Sequence, residues 1–376
     1  MRARAKECAG GGRRRSGVAA AKLILRGLHQ NSFPRMTSCW LTLASLAPVP
    51  SVTLNNGAPV PSVTLNNGVR MPALAISLPQ TASEAAANIK VAFERGISHF
   101  VTAQDYLNQR EVGAGLRALG AARDDYFVTT MTSPCQCNQT LPHCKRNITD
   151  MDVCTKVTTR EVLSDLEQLN LTHVDLLLLH GPNLASTHVG PCDASACAAN
   201  RAQWRAYSEL YQQGKARAIG IGNVCPSCLD CLLDGLSRED LVVPAVTQVQ
   251  YHVAYGPDRD HFLSYYRSKG VVPHAYGPLA NGALVGNKLC ASIGRQYNKT
   301  AAQVAMRWLV QNCTSEMAIL THSTSGAHLE EDVDVFGSTW ELSAVEVEQL
   351  DAITCETNPE LCAHYEPGRM AWGCTS

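Results

Sequence analysis

The 376-residue sequence predicts a single-domain (β/α)8 barrel of the TIM type. Three observations predict it. From about residue 70 onward, eight short apolar runs alternate with stretches of helical periodicity, the rhythm of parallel strands joined by right-handed crossovers. One of those runs, VDLLLLH (174–180), is apolar throughout, as a strand covered on both faces must be. No G-x-G-x-x-G phosphate turn follows the first run, as a doubly wound open sheet would lead one to expect, so eight units most simply close into a barrel.

The elements begin with a duplication. APVPSVTLNNG occurs twice in succession across 47–68. Eleven residues are too few to stack as a solenoid repeat of ~20–50 residues. The second copy continues as VRMP and reads as strand, Asn-Asn-Gly turn, strand, since Asn and Gly tolerate the positive φ of a tight hairpin. This hairpin is expected to cap the bottom of the barrel. The first copy has no returning strand and reads as a duplicated linker.

The barrel strands are then ALAIS (73–77), HFVTA (99–103), YFVTTM (126–131), VDLLLLH, ARAIGIG (216–222), AVTQVQY (245–251), VVPHAY (271–276) and MAILT (317–321). Helices are expected over SEAAANIKVAFERG (83–96), TTREVLSDLEQLN (158–170), NRAQWRAYSELYQQG (200–214), DRDHFLSYYRSKG (258–270) and TAAQVAMRWLVQN (300–312). Residues 1–61 are expected to be a disordered targeting segment and linker, 62–354 the barrel, and 355–376 a cysteine-containing tail.

Of 32 basic and 33 acidic residues, nine basic residues and one acidic residue, Glu7, fall within 1–50. The remaining body is therefore acidic, which argues against a nucleic-acid partner. The basic, Ala/Ser/Gly-rich head resembles an organelle transit peptide, while CWLTLASLA (39–47) resembles a short signal peptide. No apolar run approaches ~18 residues, so no transmembrane segment is expected. The 16 cysteines cluster in loop-like stretches such as CQCNQTLPHC (135–144), PCDASAC (191–197) and CPSCLDC (225–231). N-x-S/T sequons stand at Asn138, Asn147, Asn170, Asn298 and Asn312. Together these favour a disulfide-bonded glycoprotein of the secretory pathway or extracellular space, with an organellar or cytosolic location as the alternative. Cys192 and Cys197 are the expected first pair. CPSCLDC lacks the fourth ligand of an iron–sulfur run, and no metal is expected.

In such a barrel, chemistry sits at the C-terminal ends of the strands. Those ends hold Tyr106, Met131, His180, Asn223, Gln248, Tyr276 and His322. With NNGVRMP (66–72), HFVTAQDYLNQREVG (99–113), VDLLLLHGP (174–182), AIGIGN (218–223), VTQVQYH (246–252), AYGPL (275–279), TAAQVAMRW (300–308) and ILTHSTSGAHLEED (319–332) in this order, the chain resembles the aldo-keto reductase family. The resemblance implies a barrel that reduces a small-molecule carbonyl with a nicotinamide cofactor. In that family a Tyr donates the proton, a Lys and an Asp lower its pKa, and a His orients the carbonyl. Tyr106 and His180 occupy the Tyr and His positions. The Asp position is Val101 and the Lys position is Met131, so half of the tetrad is missing. Replacing both members of a buried ion pair by apolar residues can leave stability nearly unchanged while damaging the chemistry. The chain is thus expected to be a weakened reductase or a pseudoenzyme, a non-catalytic descendant that binds a nucleotide or a protein.

The cofactor side follows the family more closely. By resemblance, Asn223 and Gln248 hold the carboxamide, Tyr276 stacks on the ring, and Gly277 and Leu279 line the cofactor. The segment after the last strand is where the family grips a 2′-phosphate, with Ser323, Thr324, Glu331 and Asp332 retained as polar groups. His322 and His328 stand where the family has Lys and Arg. Imidazole is only partly charged near neutral pH, which weakens the grip, but with the other polar groups retained NADP(H) is the expected cofactor, with NAD(H) close behind. The chain is expected to act as a monomer.

Overall fold

The computed structural model describes residues 60–362 apart from 79–80, 139–144, 185–190, 240, 259–260 and 314–316. The basic head, the first copy of the duplicated segment and the end of the tail lie outside the described residues.

The second copy of the duplication forms an antiparallel hairpin of β1 (Ser62–Thr64) and β2 (Arg70–Pro72). Its turn closes with Gly68 at φ +84°, a left-handed conformation that glycine adopts without steric cost. Asn66 Nδ2 donates to Pro244 O and Asn67 Nδ2 to Arg217 O, both near the starts of barrel strands. Val63, Leu65 and Met71 pack into the barrel interior, so the hairpin plugs the bottom as expected.

Eight parallel strands close the barrel in the order β3 (Leu74–Ser77), β4 (His99–Val101), β5 (Phe127–Thr132), β8 (Val174–Leu179), β9 (Ala216–Gly222), β10 (Val246–Gln250), β11 (Val272–Tyr276) and β12 (Ala318–Thr321). Each coincides with one of the eight predicted runs, β5 extending one residue beyond its run, to Thr132. Alternation along the strands sorts the core into two layers. Ala75, Val101, Met131, Leu176, Leu178, Ala218, Val246 and Leu320 fill the interior. The intervening Ile76, Phe100, Val128, Leu177, Ile219, Val249 and Ile319 pack against the surrounding helices. The barrel tolerates no side chain at Gly220, where a Cβ would lie 2.4 Å from Val246 O.

One interior layer is polar. His99 Nε2 lies 2.8 Å from Thr129 Oγ1, and the His99 and His274 rings stack at 5.5 Å. Burial keeps both imidazoles neutral: it drives His99 well below the ordinary histidine range, with the neighbouring His274 adding to the shift, and it lowers His274 to about 4.

The crossovers hold more helix than periodicity indicates. Helix α3 runs Met151–Leu169 and α4 Ala194–Gln212, each beginning several residues before its predicted start. Both are N-capped by aspartate, Asp150 on the amides of Asp152 and Val153, and Asp193 on Ala196. Between β5 and α3, β6 (Gln136–Asn138) and β7 (Lys145–Asn147) make a small hairpin. CPSCLDC is helical rather than loop-like, opening α5 (Pro226–Glu239).

That helix corrects the expected cysteine pairing. Cys192 bonds Cys228 and Cys197 bonds Cys231, not each other. The reason is the start of α4, whose first turn separates Cys192 from Cys197, while Cys228 and Cys231 share one face of α5 at helical spacing. The two bridges staple α4 to α5. Cys135–Cys154 and Cys355–Cys362 are also bonded, and Cys290 is a buried free thiol. No described helix is long and apolar enough to cross a membrane.

Candidate active site

Strand β4 ends at Val101, and a 3-10 turn over Gln104–Tyr106 follows at the barrel mouth. It turns Tyr106 back over the interior, where it packs on the cluster holding Val101, Met131 and Tyr276. Val101 and Met131 are 0% and 1% exposed, so the positions read as lost Asp and Lys are filled by apolar side chains beneath the mouth. The Tyr106 ring meets His180 edge-on, centroids 6.0 Å apart. Burial raises the Tyr106 phenol, the neighbouring Asp105 charge adds to this, and a Ser77 hydrogen bond opposes it. The phenol is therefore a weaker acid than a free tyrosine.

His180 follows β8, and its amide extends the sheet by donating to Thr132 O. Its Nδ1 lies 3.0 Å from Asp105 Oδ2. The other oxygen of Asp105 accepts from Ser133 Oγ. Burial would raise the Asp105 carboxyl, but its hydrogen bond and charge contact with His180, with Ser133 and Arg146 assisting, hold it below the usual carboxylate range. Asp105 is thus ionised and can only accept, which places a proton on His180 Nδ1. Sequence reasoning did not single out Asp105. The available signal was an acid directly before Tyr106, in a turn at a strand end.

Behind β5 lies a second carboxyl that sequence reasoning passed over. Asp165 of α3 is buried and accepts from Thr130 Oγ1 at 3.2 Å. Burial pushes it up to about 8, with the charges of Glu161 and Asp105 acting in the same direction, so at neutral pH it is largely protonated.

The opposite wall carries Asn223, Gln248 and Tyr276. Asn223 sits at φ +56°, a left-handed conformation that asparagine tolerates. Its Nδ2 donates to His180 O at 2.9 Å and its Oδ1 accepts from Tyr276 OH at 2.8 Å. These bonds tie the two walls together. Gln248 faces the polar layer, its Nε2 3.5 Å from His274 Nδ1. Gln250 lies on the same strand face one layer nearer the mouth, in register with Tyr276. Both of its buried amide atoms lack a partner among the described residues. An orphaned donor and acceptor beside an aromatic ring fit a carboxamide-bearing ring. Past Tyr276, Gly277 (φ +64°), Ala280 (φ +49°), Asn281 (φ +53°) and Gly282 (φ +91°) keep the chain left-handed around Leu279. Right- to left-handed steps of this kind form anion-binding backbone concavities. The nicotinamide and pyrophosphate ends of a dinucleotide therefore fit the residues present. When bound, the cofactor would supply a hydride at the mouth.

The far end fits less closely. His322, Thr324 and His328 are exposed and Ser323 is half-buried. Ser325 caps α9 (Gly326–Asp334) by accepting from His328 N. No Lys or Arg occurs between 322 and 334. Arg95 reaches this helix, but it donates to Gly326 O at 2.8 Å and pairs with Glu330 at 3.2 Å. Glu331 accepts from Thr300 Oγ1, and buried Asp332 accepts from Thr321 Oγ1 at 2.8 Å. The structure thus brings Tyr106, His180, Asn223 and Tyr276 to one mouth, with Gln248 one layer beneath beside His274, and it places Asp332 in a contact with the barrel wall.

Known proteins resemble this chain in sequence and fold. The glyoxal reductase of Bacillus subtilis is 28% identical over 280 residues, covering 74% of this chain and 87% of its own length. The morphine 6-dehydrogenase of Pseudomonas putida is 29% identical over 286 residues, covering 73% and 84%. Among solved structures, an aldo-keto reductase from a Medee basin deep-sea metagenome library matches with TM-score 0.63 at 26% identity, over 78% of this chain and 95% of that one. An aldo/keto reductase from Brucella melitensis shares the fold with TM-score 0.64 at 23% identity, over 78% and 99%. The aldo/keto reductase family profile matches residues 73–354, the whole barrel from its first strand through its last helix, and the chain belongs to that family.

Proposed function

We propose that the protein is a nicotinamide-dependent oxidoreductase that reduces small aldehydes or ketones to alcohols. The observation that carries this reading is the convergence of Tyr106 and His180 with Asn223 and Tyr276 at one mouth, joined by the Asn223 bonds. His180 would meet the carbonyl oxygen. Asn223, Gln248 and Gln250 would fix the carboxamide, Tyr276 would stack on the ring, and the 277–282 turn would take the pyrophosphate. Several relatives act on carbonyl–alcohol pairs by their names, a glyoxal reductase among them, which supports a small reactive carbonyl as substrate.

With Val101 and Met131 at the Asp and Lys positions, Tyr106 lacks the partners that would make it acidic. Loss of a matched acid typically costs ~10²–10⁴ in rate, so the activity is proposed to be slow. NADP(H) is the proposed cofactor, with NAD(H) second because fixed charge is missing at 322 and 328. The bonded cysteines, with exposed sequon residues Asn147, Asn170 and Asn298, support a secreted glycoprotein. The buried apolar pair also favours a second reading, a cofactor-binding protein without catalysis. Titrating the full chain with NADPH and NADH by nicotinamide fluorescence, then supplying a reactive aldehyde, separates the two. Binding with turnover supports the reductase, binding alone supports the second reading, and no binding removes both.

A further inference from the structure

We propose that the carbonyl oxygen takes its proton from Nε2 of His180, that Asp105 is the positioning residue holding this ring charged and aimed at the mouth, and that Tyr106 is not the donor. The inference rests on the reductase reading and deepens it.

Asp105 is buried, its side chain 7% exposed, and its two oxygens are taken by His180 Nδ1 and Ser133 Oγ. A carboxylate so enclosed needs a counter-charge, because a lone buried ion is strongly destabilising. The His180 ring is the group in contact with it, Nδ1 3.0 Å from Oδ2. The other charged or titratable groups facing the pair do not replace it. Arg146 of β7 is held by Glu161 of α3 at 2.9 Å. Asp165 of α3 is pushed up to about 8 by burial, with Glu161 and Asp105 adding to the shift, and so is largely uncharged at neutral pH. Tyr106 adds no cation, and its ionisation would set a second anion beside Asp105. With Nδ1 committed, His180 Nε2 takes no partner among the described residues, in a side chain 13% exposed. It is the polar hydrogen left to meet a ligand.

The step balances. As the carbonyl carbon accepts the hydride that reduced nicotinamide supplies, the C=O π pair moves onto oxygen. The Nε2–H bond breaks, an O–H bond forms, and the alcohol leaves His180 neutral with Nδ1–H still on Asp105. Water restores the proton through the exposed edge of the ring.

The test uses the full chain, made under oxidising conditions with ring-15N histidine, without and with cofactor. Loss of one resonance set in His180→Gln assigns the ring. In the free protein, Asp105→Asn is expected to lower the His180 titration midpoint by about one unit or more, the scale of losing an opposite charge in contact. In single turnover of a reactive dicarbonyl with NADPH, Asp105→Asn is expected to slow the rate at least ~10-fold and to move the pH profile with the NMR midpoint, while Tyr106→Phe costs less than ~10-fold. Should Asp105→Asn not fold, Asp105→Ser carries the same readouts. An unmoved midpoint overturns the proposal even in a protein with no turnover. Turnover lost in Tyr106→Phe and kept in Asp105→Asn also overturns it, and leaves the reductase reading standing. A parent chain that binds cofactor but yields no product removes the reductase reading and the donor role together.

Discussion

The two walls of the barrel mouth have been treated differently. On one, Asn223 bonds both His180 O and Tyr276, with Gln248 beneath them beside His274. On the other, buried Val101 and Met131 lie beneath Tyr106, and the carboxylate of Asp105, one residue before it, pairs with His180. Binding groups act by static complementarity and survive one by one. A proton-transfer network acts as a unit, and loss of one charged member strands the other. The Tyr106 wall accordingly carries no charge at 101 and 131, and its buried carboxylate is set against His180 instead.

The strongest way to break this comparison is to place an ion pair at 101 and 131. Met131→Lys or Val101→Asp alone buries an unpaired charge and is expected to cost about 3–5 kcal/mol, read as a fall in denaturation midpoint. The double variant is expected to recover most of that loss. It should also make turnover depend on Tyr106, so that Tyr106→Phe in this background costs ~10² or more. If each single variant is as stable as the parent, the two positions are not a buried pair site.

A smaller effect sharpens the picture of the Tyr106 wall from behind. Asp165 stands at about 8 in the fold against ~3.9 in an unfolded chain. Its folded pKa is raised, so the stability it contributes is complete below ~4 and is lost as pH rises toward 8. Asp165→Asn mimics the protonated form and is expected to stabilise the protein by on the order of 1–3 kcal/mol at pH 8 and by much less at pH 5. Equal effects at the two pH values would mean that Asp165 is already ionised in the fold.

On the Asn223 wall the expected changes are modest. Tyr276→Phe removes the hydrogen bond to Asn223 Oδ1 and is expected to weaken binding of either cofactor by about fivefold, roughly 1 kcal/mol, seen by fluorescence titration. The smallest effect lies at the far end. If His322 and His328 meet a 2′-phosphate, NADPH should bind a few-fold more tightly at pH 5.5 than at pH 8, while NADH changes less, since only charged imidazole attracts the phosphate. Parallel pH responses would place both histidines off the phosphate.

The barrel was legible because its strands are short, largely apolar runs and its helices are periodic. Every predicted strand appears, and the second copy of VTLNNG makes its hairpin. Helix starts were less legible. The first turns of α3 and α4 are polar and cysteine-bearing, and their caps, Asp150 and Asp193, lie inside stretches that resemble loops. The Cys192 and Cys197 pairing could not be read from spacing, because it depends on how α4 meets α5. Positions such as Tyr106 and His180 were legible from motif order. The Asp105–His180 contact was not, since it joins residues 75 apart through a turn whose direction only the folded mouth reveals. Asp165 was hidden for a similar reason. A carboxylate on an amphipathic helix reads as solvated, and only the packing of α3 on Thr130 buries it.

The most direct test of the account follows hydride into product. The full chain is mixed with a reactive aldehyde and reduced nicotinamide dinucleotide carrying deuterium at the transferable position, and the alcohol is analysed by mass spectrometry. The account predicts one deuterium on the former carbonyl carbon, at a slow single-turnover rate, and none at that carbon when only the water is deuterated. Saturable cofactor binding with no labelled alcohol, at any pH between 5.5 and 8, would contradict it.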